Sequence, residues 1–167
     1  AAAEFGFKAG RVNLSYQEKP LRDVLREFFA WQGVPAVISE KIGGAVTGKF
    51  NMSTEEFFSN LSSVFGLMSY YDGAVLYVYA SSEATGRVVS LRSVTPDRFR
   101  QALREIDALD RRYLLRINES ERLAQVSGPP RYVDIVEEVA GMLEDGARGS
   151  QAIADTMAQY RPLASAF

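Results

Sequence analysis

The fold of this chain is decided by two stretches, VPAVISEKIGGAVTGKF at Val34–Phe50 and LMSYYDGAVLYVYAS at Leu67–Ser81. In the first stretch, an apolar run predicts a strand from Pro35 to Ser39, and alternation of apolar and polar residues predicts another from Ala45 to Phe50. In the second, Asp72-Gly73 between two apolar runs predicts a β-hairpin with a type I′ turn, because that turn needs residues that tolerate positive φ.

Two helices complete the first predicted module, residues 1–79. Pro20 is expected at the first helical residue, where its missing N–H costs nothing, and Gly33 just after the last. A capping-box pattern at Ser53–Glu56 starts the second helix, and Gly66 ends it. The predicted apolar faces are Leu21, Val24, Leu25, Phe28 and Trp31, then Phe57, Leu61, Val64 and Phe65. Alternation also predicts two short half-buried strands before the first helix, Phe5–Phe7 and Val12–Tyr16, the latter with Leu14 inward.

Residues 80–86 are small and polar without periodicity, and they predict a linker. Residues 87–146 predict a second module with the element order β-α-β-β-α. Its strands are expected at Val88–Leu91, Tyr113–Asn118 and Leu123–Ser127. Its first helix has Thr95 as N-cap, and its inward residues are Phe99, Leu103 and Ile106. Its second helix ends at Gly146, and its inward residues are Val133, Val136, Val139, Ala140 and Leu143. In the remaining tail, residues 147–167, a short helix is predicted along Ile153, Met157 and Tyr160.

The composition is that of a globular protein and excludes several functions. Of 167 residues, 47% are apolar and 24% are charged, enough for one moderate domain or two small ones. The net charge of −2 leaves no basic surplus for nucleic acid. With neither Cys nor His, thiolate chemistry and the commonest general base are excluded. We therefore expect no enzyme, no cofactor and no metal site. The sequence contains no run of about 18 apolar residues, so it predicts no membrane-spanning helix.

Three patterns that resemble ligand sites have simpler structural explanations. The hairpin tyrosines are expected half in the core and half on a sheet face, because no basic patch accompanies them. The glycines at 43, 44 and 48 are followed by a strand rather than by the helix that a phosphate loop requires. The pairs Glu55-Glu56 and Glu137-Glu138 diverge by about 100° around a helix and do not converge on one substrate. The tyrosines concerned are Tyr70, Tyr71, Tyr77 and Tyr79.

The order of these motifs resembles the N-terminal periplasmic domains of secretins, most closely those of type III secretion outer-membrane secretins. A helix, the strand GAVTGKF (44–50), a second helix and the hairpin YYDGAVLYVY (70–79) follow one another as in the first domain of that family. The second module resembles the second domain, and VSGPPRYV (126–133) is the most specific part of the match. The resemblance covers residues 5–146. The second module also has the element order of KH nucleic-acid domains, but it lacks their G-x-x-G loop.

The resemblance implies an α+β fold in which a two-helix, small-sheet module precedes a KH-like ring-building module. It implies a structural role, with rings of identical copies forming the wall of the export conduit of an injectisome. Further implications are a location at the periplasmic face of the outer membrane, docking of the first module to an inner-membrane ring protein, no small-molecule substrate, and membrane contact only through later domains. This chain is then expected to be an N-terminal fragment that is monomeric alone. Its opening, AAAEF, is typical of a cloning remnant.

Charged residues supply the predicted interaction surfaces. A head-to-tail contact that closes a ring needs two different, complementary patches on one subunit. In the second module, basic residues cluster on the first helix and the following turn, and acidic residues on the second helix. We predict that Arg98, Arg104, Glu137 and Glu138 form the subunit contact, with solvated helix faces as the alternative. For docking to the inner ring we predict Arg22, Asp23, Arg26 and Glu27, with Lys41 and Lys49 as further exposed candidates.

Alternatives from other classes remain at this stage. A type II or type IV pilus secretin has a similar first domain, and so does the signalling domain of TonB-dependent receptors, which ends after one module. A periplasmic ligand-binding module would need a polar cleft lined by Tyr70, Tyr77 or a carboxylate pair. Direct continuation into VVSLR (88–92) and VSGPPRYV favours a type III secretin.

Overall fold

The computed structural model describes residues 5–165, with side chains through Gln159. The α+β class is confirmed, with eight strands and four helices in this part of the chain. The elements are β1 (Arg11–Pro20), α1 (Leu21–Gln32), β2 (Ala36–Ile38), β3 (Ala45–Ser53), α2 (Thr54–Phe65), β4 (Leu67–Tyr71), β5 (Leu76–Ala80), β6 (Thr85–Ser90), α3 (Pro96–Glu105), β7 (Leu114–Asn118), β8 (Leu123–Gly128) and α4 (Pro130–Ser165). The predicted cloning remnant lies, except for Phe5, outside the described residues.

Module one, as we call β1 to β5 with α1 and α2, contains two small sheets. β1 pairs with β3 in one, and the other has the order β2-β5-β4, with β2 parallel to β5. Gly33 and Gly66 adopt left-handed φ values of 71° and 64° and end the two helices as predicted. The Ser53 hydroxyl accepts a hydrogen bond from the Glu56 N–H at 3.2 Å, which caps α2. Both helices bury their apolar faces in one core.

Module two comprises β6 to β8 with α3 and α4, in the predicted order β-α-β-β-α. Its antiparallel sheet has the order β6-β8-β7, and the helices cover one face. Val88, Leu114 and Leu123 are exposed on the opposite face, which is open. Thr95 caps α3 by accepting from the Arg98 N–H at 3.2 Å. The core of this module is built mainly from β6, β8 and the two helices.

The predicted strand at Phe5–Phe7 is wrong. Residues 5–10 run alongside module one without strand pairing, and both phenylalanines are half-buried against its aromatic core. Side chains hold this segment in place: the Lys8 N–H donates to Gln32 Oε1 at 2.7 Å, and the Thr54 hydroxyl donates to the Lys8 carbonyl at 2.9 Å. Alternation here reflects contacts with a core rather than a β-ladder.

Four apolar residues that were predicted to face inward are exposed. Three of them lie in or just after the last turn of a helix, where fewer neighbouring elements cover them. The fourth lies on β1 in the two-stranded sheet. These residues are Trp31, Val64, Ile106 and Leu14.

The hairpin turn also differs from the predicted type I′ geometry. Tyr71 pairs with Leu76, so the connection has four residues. Asp72 does not adopt positive φ. Its carboxylate instead accepts the N–H groups of Ala74 and Val75 at 2.9 and 2.8 Å. A side chain that bonds its own turn replaces the pair of left-handed residues.

The last helix is much longer than predicted. α4 passes through Gly146 and continues to Ser165; it contains three interior glycines, Gly141, Gly146 and Gly149, each of which costs a helix only about 1 kcal/mol. The predicted short helix along Ile153 and Met157 is therefore its continuation, and the side chain of Tyr160 lies outside the described set. The predicted linker is also structured, because it contains a 3-10 turn at Ser81–Glu83 and the start of β6.

Gly44 provides a test of the packing in module one. Its φ is +107°, and a Cβ built on it would lie 2.9 Å from Cε1 of Phe65. We expect Gly44→Ala to lower the free energy of unfolding by about 1–3 kcal/mol, measured by urea denaturation. Gly43→Ala is the matched control, because nothing lies within 4 Å of its Cβ position. Equal losses in the two variants would contradict this account.

Candidate interaction surfaces

Three tyrosines from both modules form one cluster at the boundary between them. Tyr70 of β4 lies with its ring centroid 5.5 Å from that of Tyr132, and Tyr113 lies 5.7 Å from Tyr132 on the centroid distance. The Tyr70 side chain is buried in the core of module two, although it belongs to a strand of module one. Its hydroxyl donates to the Ala108 carbonyl at 2.8 Å. The two modules therefore share part of one core.

The same boundary covers an open sheet edge. β4 is an edge strand of its sheet. The Ser69 carbonyl on that strand accepts hydrogen bonds from the Tyr113 hydroxyl at 2.6 Å and from Nη2 of Arg112 at 3.0 Å. Edge strands expose unpaired backbone groups that invite pairing with other chains. Side chains of module two satisfy one of these groups and obstruct that edge.

Arg131, at the start of α4, makes a second link to the hairpin. Its backbone N–H donates to the Tyr79 hydroxyl at 3.2 Å. Its guanidinium lies 5.8 Å from the Tyr77 ring centroid and, at Nε, 3.9 Å from the Asp72 carboxylate. Tyr70 is buried and Tyr77 is in contact with Arg131, so neither is available as the wall of the polar cleft that a ligand-binding module would need.

The connection between the modules is held to module one. The Glu83 carboxylate accepts from the Ser39 hydroxyl at 2.8 Å and from the Ala80 N–H at 2.7 Å. The Ser81 N–H donates to the Gly66 carbonyl at 2.7 Å. These bonds leave little of the connection free to act as a hinge.

Burial raises the pKa of the clustered tyrosines. Desolvation raises the pKa of Tyr132 to about 12, with a smaller contribution from the Asp110 carboxylate. The pKa values of Tyr70 and Tyr113 are raised as well, again chiefly by desolvation. The hydroxyls that donate across the boundary therefore stay protonated well above neutral pH.

The predicted docking residues lie together on the outward face of α1. Asp23 and Arg26 form an exposed ion pair at 3.2 Å, and Glu27 pairs with Lys19. Arg22 is half-buried. Of the further candidates, Lys41 follows β2 and Lys49 lies on β3, both exposed. The two arginines and two carboxylates cancel, so these four residues carry no net charge. A partner would therefore recognise the arrangement of the charges rather than their sum.

The predicted subunit-contact residues fall on different parts of module two. Arg98 and Arg104 are exposed on α3. Glu137 lies 3.7 Å from Arg87, and Glu138 lies 4.0 Å from Arg131.

Two other charged residues of module two, Glu144 on α4 and Arg112 in the turn before β7, serve the fold instead. The Glu144 carboxylate is buried and accepts from the Ser93 N–H at 3.1 Å with both oxygens. Arg112 takes part in the boundary between the modules. Sequence reasoning missed both roles, because each partner is a backbone group more than forty residues away in the chain.

The described residues contain no metal-binding arrangement of three or more acidic side chains. Within residues 5–165, no helix has the length and hydropathy needed to cross a membrane.

The tyrosine cluster predicts a loss of stability at alkaline pH. Tyr132 has a folded pKa of about 12 against an ordinary value of 10.0, so its neutral form is favoured by folding. Its contribution is present below pH 10 and is lost as pH rises toward 12. We expect the free energy of unfolding to fall in this window, with tyrosinate absorbance rising together with the loss of near-UV circular dichroism. Full ionisation of all tyrosines without unfolding would contradict this.

Removing one hydroxyl tests the boundary directly. Tyr70→Phe deletes the bond to the Ala108 carbonyl inside the shared core, and we expect a loss of about 1–3 kcal/mol in urea unfolding. Tyr71→Phe is the matched control, because the Tyr71 hydroxyl donates to Gly73 within its own exposed turn and its loss is expected to cost less than about 0.5 kcal/mol. An equal effect in the two variants would show that the Tyr70 bond does not couple the modules.

Comparison with known proteins gives consistent results. No protein-family model matches the chain. It is 38% identical over 130 residues to a type 3 secretion system secretin of Xanthomonas euvesicatoria, covering 78% of this chain and 21% of that protein. Nodulation protein NolW of Rhizobium fredii is 34% identical over 143 residues, covering 85% of this chain and 61% of that protein. The chain therefore spans only part of the length of these relatives.

Solved structures extend the likeness to the arrangement of both modules. A chain of the Salmonella SPI-1 injectisome basal body proteins InvG, PrgH and PrgK matches with a TM-score of 0.69 and 30% identity, covering 81% of this chain and 29% of that chain. A chain of the InvG N0N1 assembly with SpaPQR and PrgHK matches with a TM-score of 0.72 and 28% identity. The match covers 86% of this chain and 99% of that chain. The chain belongs to the type 3 secretion system secretin family and corresponds to the N-terminal domains of those proteins.

Proposed function

We propose that this chain is the periplasmic base of an outer-membrane secretin, in which copies of module two form a ring and module one docks to the inner-membrane ring of a type 3 secretion system. The observation that carries the proposal is the match, over 86% of this chain, to the N-terminal InvG chain from an injectisome base that also contains PrgH and PrgK. The relatives are named as secretion-system components, which supports a structural rather than an enzymatic role.

The joined modules support the docking part of the proposal. The tyrosine cluster and Arg131 connect them directly, and the bonds around Glu83 limit movement of the connection. A partner that holds α1 would thereby also orient module two. Such coupling suits a conduit in which two rings must stay in register.

A charge reversal on α1 and the salt dependence of binding test whether the α1 face is the docking surface. We expect purified chain to bind the periplasmic domain of the matching inner-membrane ring protein, with an affinity that falls between moderate and high salt. Arg26→Glu should weaken binding by roughly tenfold, because it replaces the Asp23–Arg26 pair with two like charges. Isothermal titration at both salt concentrations measures this.

Arg116→Glu is the matched control for this titration. Arg116 is exposed on the open sheet face of module two, so the substitution changes the net charge equally and leaves α1 intact. Equal weakening by both variants would point to a general charge effect. Binding unaffected by Arg26→Glu would remove α1 from the docking surface while leaving the family assignment in place.

A further inference from the structure

We propose that an arginine-rimmed cleft on module two is a socket for the outer face of α4 from a second copy of this chain. The inference rests on the proposed function, since it assigns the residues that join neighbouring copies in the ring. It is carried by two complementary surfaces of the same module that share no residue.

The socket lies between α3, the segment after it and β7. It has a volume of about 290 Å³. Its rim carries Arg100, Arg104 and Arg111, together with Asp110, whose carboxylate is already paired with Arg112 at 2.7 Å. Arg100 is paired with Asp97 at 3.2 Å and Glu119 at 3.4 Å. Among the described residues, Arg104 and Arg111 form no ion pair. Two guanidinium groups are therefore available to carboxylates of another molecule.

The floor of the socket is apolar. It is lined by Leu109, Leu115 and Ile117, all half-buried, beside the rings of Tyr113 and Tyr132. Removing such a surface from water favours association. A matching partner therefore needs one protruding apolar side chain surrounded by acidic groups.

The outer face of α4 has this combination. Met142 is 73% exposed. At about 100° per residue, Asp134, Glu138 and Asp145 fall on the same side of the helix as Met142, away from the buried Val136. Met142 is thus an apolar knob among three carboxylates, and its flexible thioether adapts to an irregular cleft.

These carboxylates are only weakly engaged within their own copy. Glu138 lies 4.0 Å from Arg131 and is 64% exposed, and Asp145 pairs with Arg148 at 3.0 Å and is 78% exposed. Ion pairs of solvent-exposed carboxylates contribute little to stability and exchange readily. In the described part of the chain, Asp134 has no ion pair. Replacing these contacts by contacts with Arg104 and Arg111 of a neighbouring copy therefore costs little free energy.

A second copy fits this socket better than a self-contact. The knob and the socket lie on one module but not against each other, so one copy's knob can enter only another copy's socket. A contact between two different patches is head-to-tail and closes into a ring when the rotation allows. Opposite charges around an apolar centre also fix the register of neighbours.

The socket separates the four predicted contact residues into two classes. Arg104 lines it and Glu138 accompanies the knob. Arg98 does not line it, and Glu137 lies on the β6 side, where it pairs with Arg87 at 3.7 Å. We therefore expect Arg104 and Glu138 to meet between copies, and Arg98 and Glu137 to remain apart.

Cysteine crosslinking in the assembled full-length secretin distinguishes these pairs, once any cysteine in the remaining domains has been replaced by serine; this chain contributes none. The double variant Arg104→Cys with Glu138→Cys should give a ladder of multimers under oxidising conditions that is lost on reduction. Arg98→Cys with Glu137→Cys is the control pair and should give none. Electron microscopy of the same samples reports whether rings are present.

The outcomes separate the inference from the proposed function. Rings without a ladder from the first pair, or with ladders from both pairs, would overturn the socket and leave the ring role standing. Absence of rings in the unmodified protein would overturn both. Met142 gives a second test: Met142→Asp should lower the crosslinked fraction roughly tenfold, whereas Met142→Leu should keep it. Unchanged crosslinking in Met142→Asp would also overturn the socket.

Discussion

The free edge of β4 is the constraint on which the relation between the two modules depends. A strand at the end of a sheet presents unpaired carbonyls, and here the Ser69 carbonyl receives the Tyr113 hydroxyl and the Arg112 guanidinium. Next to it, Tyr70 inserts its ring into the core of module two. The edge is therefore covered by side chains rather than by another strand. Each module completes a surface that the other would leave exposed.

The proposed interaction surfaces lie on either side of this boundary. The charged face of α1 belongs to module one, whereas the socket and the outer face of α4 belong to module two. Since Tyr132 and Tyr113 form both the module boundary and one wall of the socket, the two features share residues. A shift between the modules would alter the socket. The proposed ring contact would therefore depend on how the two modules are held together.

Local signals in the sequence were sufficient for much of the fold. Gly33 and Gly66 end their helices, and Ser53 and Thr95 cap theirs, because each of these roles depends only on neighbours in the chain. The family motifs supplied the identity. The docking and ring residues stay predictions. The role of Tyr70 was beyond reach, since alternation shows that a residue is buried without showing which core buries it. The length of α4 was missed because Gly146 was interpreted as a stop, whereas only tertiary context decides whether an interior glycine ends a helix.

The unbroken course of α4 has a mechanical consequence. A helix of 36 residues is roughly 54 Å long and keeps a constant phase of about 100° per residue. Its first half packs on the sheet of module two. The helix therefore fixes both the distance of its far end from module two and the direction in which that end faces. Adding one residue to its outer half would turn whatever is attached there by more than a quarter of a revolution. A flexible linker of the same length would fix neither the distance nor the rotation.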